Sequence, residues 1–145
     1  VGINLESSKV LDLYSGTGSF GIECVSRGAK KVTFVEKDKN ALKVLKKNLS
    51  EIKINNEAIL IDDSVENYLS RKKKEKYNIF FFDPPFSEKK FSENLRSIRI
   101  FKNFFKNHIV VIHREKDTQD DFENEINILK IKIYGRSKIF FGVFY

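Results

Sequence analysis

Short apolar runs alternate along the chain with segments whose apolar residues recur at helical spacing. The runs are Lys9 to Leu13, Lys31 to Val35 (finishing on Glu36), Glu57 to Ile61, Tyr77 to Phe82 and His108 to His113. An apolar run without polar alternation predicts a strand buried on both faces, as in a parallel sheet. Helices are predicted over Ser19 to about Arg27, ended by Gly28, and over Lys39 to about Ile52, capped by Asp38 with Ala41, Leu42, Leu45 and Leu49 at helical spacing. A third carries Val65, Tyr68 and Leu69 behind a cap drawn from Asp62, Asp63 or Ser64. A fourth runs from Phe91 to Phe105 with Leu95, Ile98, Phe101 and Phe105 on one side. Val1 to Ser8 has no strong pattern, and the polar stretch holding Phe122 and Ile126 reads as helix or loop. Ile128 to Tyr134 and Ser137 to Tyr145 predict a hairpin turning at Gly135-Arg136. Five strand–helix alternations and a closing hairpin predict one α/β domain over residues 1–145. Its sheet is doubly wound and mostly parallel, with one reversed strand near the edge.

The fourth strand leads into Asp83-Pro84-Pro85-Phe86, which holds the only two prolines of the chain. Proline donates no amide hydrogen, so the ladder stops at Asp83 and leaves a carboxylate at the carboxyl end of a central strand, where open α/β sheets bind ligands. Such a site suits methylation of an exocyclic amine on a flat base, whose lone pair is delocalised into the ring. Asp83 and the main-chain carbonyl of Pro84, accepting the two amine hydrogens, would draw that lone pair out of plane towards an electrophilic methyl. Phe86 would stack on the base, and Asp83 would take the departing proton. The plainer alternative is a turn that ends the strand for local reasons.

After the first strand comes Asp12-Leu13-Tyr14-Ser15-Gly16-Thr17-Gly18-Ser19-Phe20-Gly21. Gly16-x-Gly18-x-x-Gly21, with Glu36 twenty residues after Gly16, matches the dinucleotide fingerprint, so an NAD-dependent oxidoreductase is a rival. Asp12 separates the two. A carboxylate beside a pyrophosphate is repelled, whereas beside the cationic amino-acid end of S-adenosylmethionine it is attracted. Asp12 could instead order the loop by accepting from backbone amides. Glu36 would hold ribose hydroxyls under either cofactor. Asp63 is the candidate for the adenine amine, with Asp62 and Ser64 competing for that role and helix capping as the alternative.

Composition narrows the setting. The chain has 145 residues, enough for one core, with 27 basic and 20 acidic residues and a net charge of +7, which favours a polyanionic partner. The lone Cys24 excludes disulfides and cysteine-based metal sites, and a reducing cytoplasm is expected; no metal and no membrane span are expected either. The absence of methionine leads to the expectation of a piece of a longer chain. Topology sorts the basic residues. Arg71, Lys72, Lys73, Lys74 and Lys76 precede the fourth strand and belong to a solvated loop opposite the site. Lys89, Lys90, Arg114, Lys116, Arg136 and Lys138 should ring the carboxyl-end face and meet phosphates. His108 and His113 have no evident carboxylate partner and read as packing or surface residues.

These residues together resemble the RsmD family, bacterial methyltransferases acting on the exocyclic amine of a guanine in small-subunit (16S) ribosomal RNA. Val10 to Gly18 is similar to the family's cofactor loop, Ser26-Arg27-Gly28-Ala29 to its next segment, and Phe34-Val35-Glu36 to its ribose-binding acid. Asn48 matches an asparagine late in the second helix, Asp83-Pro84-Pro85-Phe86 the catalytic motif, and Tyr134-Gly135 the terminal hairpin. The resemblance implies a Rossmann-like class I methyltransferase fold with a seven-stranded sheet. S-adenosylmethionine would lie on Asp12, Tyr14, Ser15, Gly16, Gly18, Glu36 and Asp63. Asp83, Pro84 and Phe86 would be catalytic, with Pro85, Lys89, Lys90, Arg114 and Arg136 towards substrate. The implied partner is ribosomal RNA or the small subunit, met by a monomer. The family's basic segment ahead of the cofactor loop, with its Arg-Pro-Thr stretch, is expected to be missing. Methylation of an adenine or a glutamine amine, and a non-catalytic RNA-binding module, are the other readings.

Overall fold

The computed structural model describes residues 4–52, 57–71, 75–85, 87–88, 90–122 and 124–145. One mixed sheet contains β1 (Lys9–Leu13), β2 (Lys31–Glu36), β3 (Glu57–Asp62), β4 (Tyr77–Phe82), β5 (Phe104–Glu115), β6 (Asn127–Tyr134) and β7 (Ser137–Val143). Their order is β3-β2-β1-β4-β5-β7-β6, with the first five parallel and β7 antiparallel to both its neighbours. This is the doubly wound sheet with a reversed strand that the apolar pattern predicts.

Helices α1 (Ser19–Ser26) and α2 (Lys39–Ser50) cover one face, and α3 (Val65–Ser70) and α4 (Phe91–Phe101) the other. Alternation along β1 feeds both layers. Val10 packs with Phe34, Cys24, Leu42 and Leu45, whereas Leu11 and Leu13 pack with Phe80, Phe82, Leu95 and Ile98. The helix starts follow from local chemistry. Asp38 accepts the Ala41 amide at 2.9 Å, and Ser64 rather than Asp62 or Asp63 caps α3, accepting from Asn67 at 3.0 Å. Leu5–Ser7, where no pattern was expected, is a 3-10 turn capped by Asn4.

The boundary between α4 and β5 departs from expectation. The helix stops at Phe101, Lys102 turns the chain with a φ of +53°, and the strand begins at Phe104, so Phe105 belongs to β5. Helical spacing carried across Phe101 and Phe105 is accidental: Phe101 is 64% exposed. The strand wins here because Phe104 pairs with Tyr77 and packs against His108 and Phe144. His108 is a packing residue, as expected. Its Nδ1 faces the Phe105 carbonyl at 2.7 Å and its Nε2 accepts the Phe144 amide at 2.9 Å, which fixes a neutral ring.

Residues 116–122 and 124–126 lie outside any strand or helix, tied down by buried Phe122 and Ile126 and by Glu125, which accepts from Arg96 and Arg99 at 3.0–3.1 Å. Among the described residues no helix is long and apolar enough to cross a membrane, and no group of metal-ligating side chains gathers.

Candidate active site

A cavity of about 780 Å³ opens at the carboxyl ends of the parallel strands, a size suited to a small-molecule ligand. Its wall includes Tyr14, Ser15, Gly16, Glu36 and Asp63 on one side, and Asp83, Pro84, Pro85 and His113 on the other.

The β1–β2 side is a loop held by its own backbone. Ser15 Oγ donates to the Asp12 carbonyl at 2.6 Å and accepts the Val35 amide at 3.1 Å. Glu36 receives three amides, from Gly16 on Oε1 (2.7 Å) and from Lys37 and Asp38 on Oε2 (both 2.9 Å), at the lip of the cavity. Tyr14 has a φ of +59°, and its hydroxyl accepts from Asn94 Nδ2 at 2.6 Å. Burial, aided by the Glu66 charge, pushes that phenol up and keeps it neutral.

Two of the expected cofactor residues act from beneath the wall rather than in it. Asp12 is fully buried, and its Oδ2 accepts the Gly21 amide at 3.1 Å, the loop-ordering role. Its Oδ1 is buried and has no partner among the described residues. Desolvation raises this carboxyl well above its ordinary value, against the Gly21 amide and with the help of the Asp83 and Glu36 charges. Gly18 does not line the cavity. It has a φ of +87°, and a Cβ there would overlap Leu45 Cδ1 of α2. Gly21 is excluded from carrying a side chain by the Phe34 ring and by Asp12 Oδ2, 2.8 Å from a built Cβ. Packing therefore explains two of the three glycines in the dinucleotide-like spacing.

Asp63 lines the cavity with both oxygens engaged. Oδ1 accepts from the Ser64 amide and Asn67 Nδ2, and Oδ2 pairs with Arg71 at 2.6 Å. These partners, Asn67 foremost, lower its carboxyl pKa. Arg71, assigned above to a solvated loop opposite the site, instead reaches back to this acid. Lys72, Lys73 and Lys74 lie outside the described residues.

On the other side the sheet register decides what meets. Phe81 and Phe82 of β4 stand beside Val111 and Ile112 of β5, so the next positions, Asp83 and His113, are neighbours on one face. His113 Nδ1 lies 2.9 Å from Asp83 Oδ1, and its Nε2 lies 2.9 Å from Ser137 Oγ on β7. His113 thus has the carboxylate partner that the sequence did not reveal. Arg114 points to the opposite face and is 2% exposed, which overturns its reading as a phosphate contact. Its guanidinium grips Asp120 at 2.9 and 3.0 Å, donates to the carbonyls of Pro84 (3.3 Å) and Pro85 (3.4 Å), and lies over the Phe91 ring. The Pro84 carbonyl therefore has one lone pair committed, leaving Asp83 the stronger acceptor at the turn.

Phe20 of α1 stacks on Phe81 at 4.1 Å and lines the cavity. Phe86 and Lys89 lie outside the described residues. Lys90, Lys116 and Arg136 are exposed, Arg136 facing Glu115 at 3.7 Å, while Lys138 folds over Phe140.

An acid presented at the lip by Glu36, an orphaned carboxylate oxygen on Asp12 beneath the loop, and the cavity volume all fit a cofactor with ribose hydroxyls and a cationic end. The mixed seven-stranded sheet with its reversed strand is the fold of class I methyltransferases. Ribosomal RNA small subunit methyltransferase D of Haemophilus influenzae is 35% identical over 134 residues, covering 90% of this chain and 69% of that protein. Its namesake in Buchnera aphidicola is 31% identical over 112 residues, 77% of this chain and 58% of that protein, so the chain spans roughly three fifths to two thirds of these relatives. A solved conserved hypothetical protein of Streptococcus pyogenes superposes with a TM-score of 0.85 at 26% identity, covering 97% of this chain and 88% of that one. The family model described as Conserved hypothetical protein 95 matches residues 1–143, and the chain belongs to that family, the RsmD methyltransferases.

Proposed function

We propose that this chain methylates the exocyclic N2 amine of a guanine in 16S ribosomal RNA, with S-adenosylmethionine as donor. The observation that carries the reading is the sharing of one cavity by the Gly16 loop and the Asp83-Pro84-Pro85 turn. S-adenosylmethionine, when bound, supplies a methyl group on a sulfonium centre. Tyr14, Ser15 and Gly16 would form its bed, Glu36 would take ribose hydroxyls once its hold on Gly16 is shared, and Asp63 would face the adenine edge. Asp12 acts through the loop, as the negative charge or hydrogen-bond acceptor beneath it.

Asp83 would accept one amine hydrogen, bring the lone pair towards the donor and take the proton that leaves as the N–C bond forms and the methyl–sulfur bond breaks, its electron pair passing to sulfur. The Phe20–Phe81 stack gives the cavity a flat aromatic wall, and Lys90, Lys116 and Arg136 are exposed cations available to phosphates. The guanine must be unstacked or already in a loop, since the methyl has to approach the amine lone pair from above the base plane, where neighbouring bases stack.

The test is incubation with labelled donor and small subunits, or free 16S RNA, lacking the modification, followed by mapping of the labelled nucleotide. Label on a guanine N2 is the expected result. Label on adenine or on protein, or calorimetric binding of NAD without binding of S-adenosylmethionine, would overturn the proposal.

A further inference from the structure

We infer that His113 is a positioning residue for Asp83, holding one carboxylate oxygen so that the other is presented to the acceptor amine. The inference deepens the methyl-transfer reading and rests on it. Asp83 stands where a strand breaks off, with its side chain 48% exposed, and a short carboxylate in that setting is free to rotate about its last bond. The His113 Nδ1 contact at 2.9 Å is the restraint on that rotation. An ionised carboxylate can only accept, so Nδ1 carries the hydrogen, and in the neutral ring Nε2 is then an acceptor. The Ser137 hydroxyl, 2.9 Å away, is a donor placed to fill it. Three strands thus fix one tautomer: β4 supplies the acid, β5 the ring, and β7 the hydroxyl.

A neutral imidazole suits this task better than a cation would. A guanidinium in its place would orient Asp83 equally well but would lower its proton affinity, weakening the acid as an acceptor for the amine proton. The neighbouring Arg114 faces the other side of β5 and grips backbone carbonyls instead. The end of β5 therefore holds the turn twice, through the side chain of Asp83 and through the main chain of Pro84 and Pro85.

The test compares wild type, His113→Asn and His113→Ala at saturating donor, in single turnover on the RNA substrate. Asparagine places an amide donor close to the position of Nδ1 but cannot act as a base. Loss of orientation should lower the turnover rate of His113→Ala about 10- to 100-fold, with donor affinity and KM for RNA within about twofold of wild type. His113→Asn should recover most of that loss. A wild-type rate in His113→Ala, or no recovery in His113→Asn, would sink the inference. Nitrogen-15 NMR of the wild-type ring judges it independently of activity: the Nδ1–H tautomer is expected, and an Nε2–H tautomer counts against it. Absence of transfer by wild type would instead remove the functional reading, while the NMR spectrum still decides whether the restraint exists.

Discussion

On the β1–β2 side of the cavity, side chains serve backbone. Ser15 closes on the Asp12 carbonyl, Glu36 gathers the amides of Gly16, Lys37 and Asp38, and Asp12 holds Gly21. On the β4–β5 side, groups about thirty positions apart hold one another: His113 with Asp83, and Arg114 with the Pro84 and Pro85 carbonyls. The first side is a bed whose shape comes from a loop conformation. The second is an acid held in place by strand register. A bed tolerates loss of one contact more readily than a single acid tolerates loss of itself, so damage should fall mainly on affinity or stability in the first case and on rate in the second.

Asp83→Ala tests the extreme of that contrast. Removing the proposed acceptor of the amine hydrogen and of the departing proton should lower methyl transfer about a thousandfold. Calorimetric affinity for S-adenosylmethionine should stay within about twofold, because Asp83 takes no part in the loop. Comparable losses in both quantities would erase the division between the two sides.

Arg114→Met comes next and reads out stability as well as rate. It leaves the Asp120 carboxylate buried without its partner and frees both proline carbonyls, a loss of about 3 kcal/mol by analogy with other broken buried pairs. Arg114→Met with Asp120→Asn removes the orphaned charge, so denaturant unfolding of the double variant should recover part of the loss. Its methyl transfer should remain low, because the turn is still ungripped. Recovery of rate along with stability would mean that the carbonyl contacts do not set the turn.

Gly21→Ala probes the other side with a smaller effect. The added methyl meets the Phe34 ring and Asp12 Oδ2, and overpacking of this kind costs about 1–3 kcal/mol. A melting temperature lower by about 4–10 °C is expected, with weaker cofactor binding as the loop shifts. An unchanged melting temperature would return the glycine to a ligand-approach role and revive the dinucleotide interpretation of the spacing.

The same contrast explains what could be read in advance. Continuous apolar runs announced the strands, because burial on both faces leaves no room for alternation, and the Asp38 cap and Gly28 stop are local rules written in residue type. The placement of Gly16, Glu36 and Asp83 at the cavity was legible for the same reason: each marks a backbone need at a strand end. His113 and Arg114 were not. Their roles depend on β5 lying beside β4 with Ile112 opposite Phe82, and no residue type encodes that register. One residue of slippage would exchange their faces. The α4–β5 boundary failed for a related reason, since Phe104 is a strand residue only because Tyr77 stands beside it.

The smallest predicted effect comes from two buried titratable groups, Asp12 of β1 and His108 of β5, whose signs are opposite. Burial raises the Asp12 carboxyl, so the native state holds that proton more tightly than the unfolded chain. The associated stability is complete below the ordinary value of 3.8 and is lost as pH rises through the raised native value. Burial lowers the His108 imidazole, whose Nε2 accepts the Phe144 amide. The unfolded chain then binds the proton more readily, and stability falls as pH drops below the ordinary value of 6.5. Each group contributes a slope of at most about 1.4 kcal/mol per pH unit. Denaturant unfolding from pH 7 down to 5 should therefore show an acid-side loss that His108→Gln flattens, since glutamine keeps an acceptor near Phe144 without becoming charged. Asp12→Asn should leave that His108-dependent loss in place while removing the opposing slope of Asp12, which steepens the net fall wherever the two windows overlap. An acid-side loss untouched by His108→Gln would show that the charge cost lies elsewhere in the molecule.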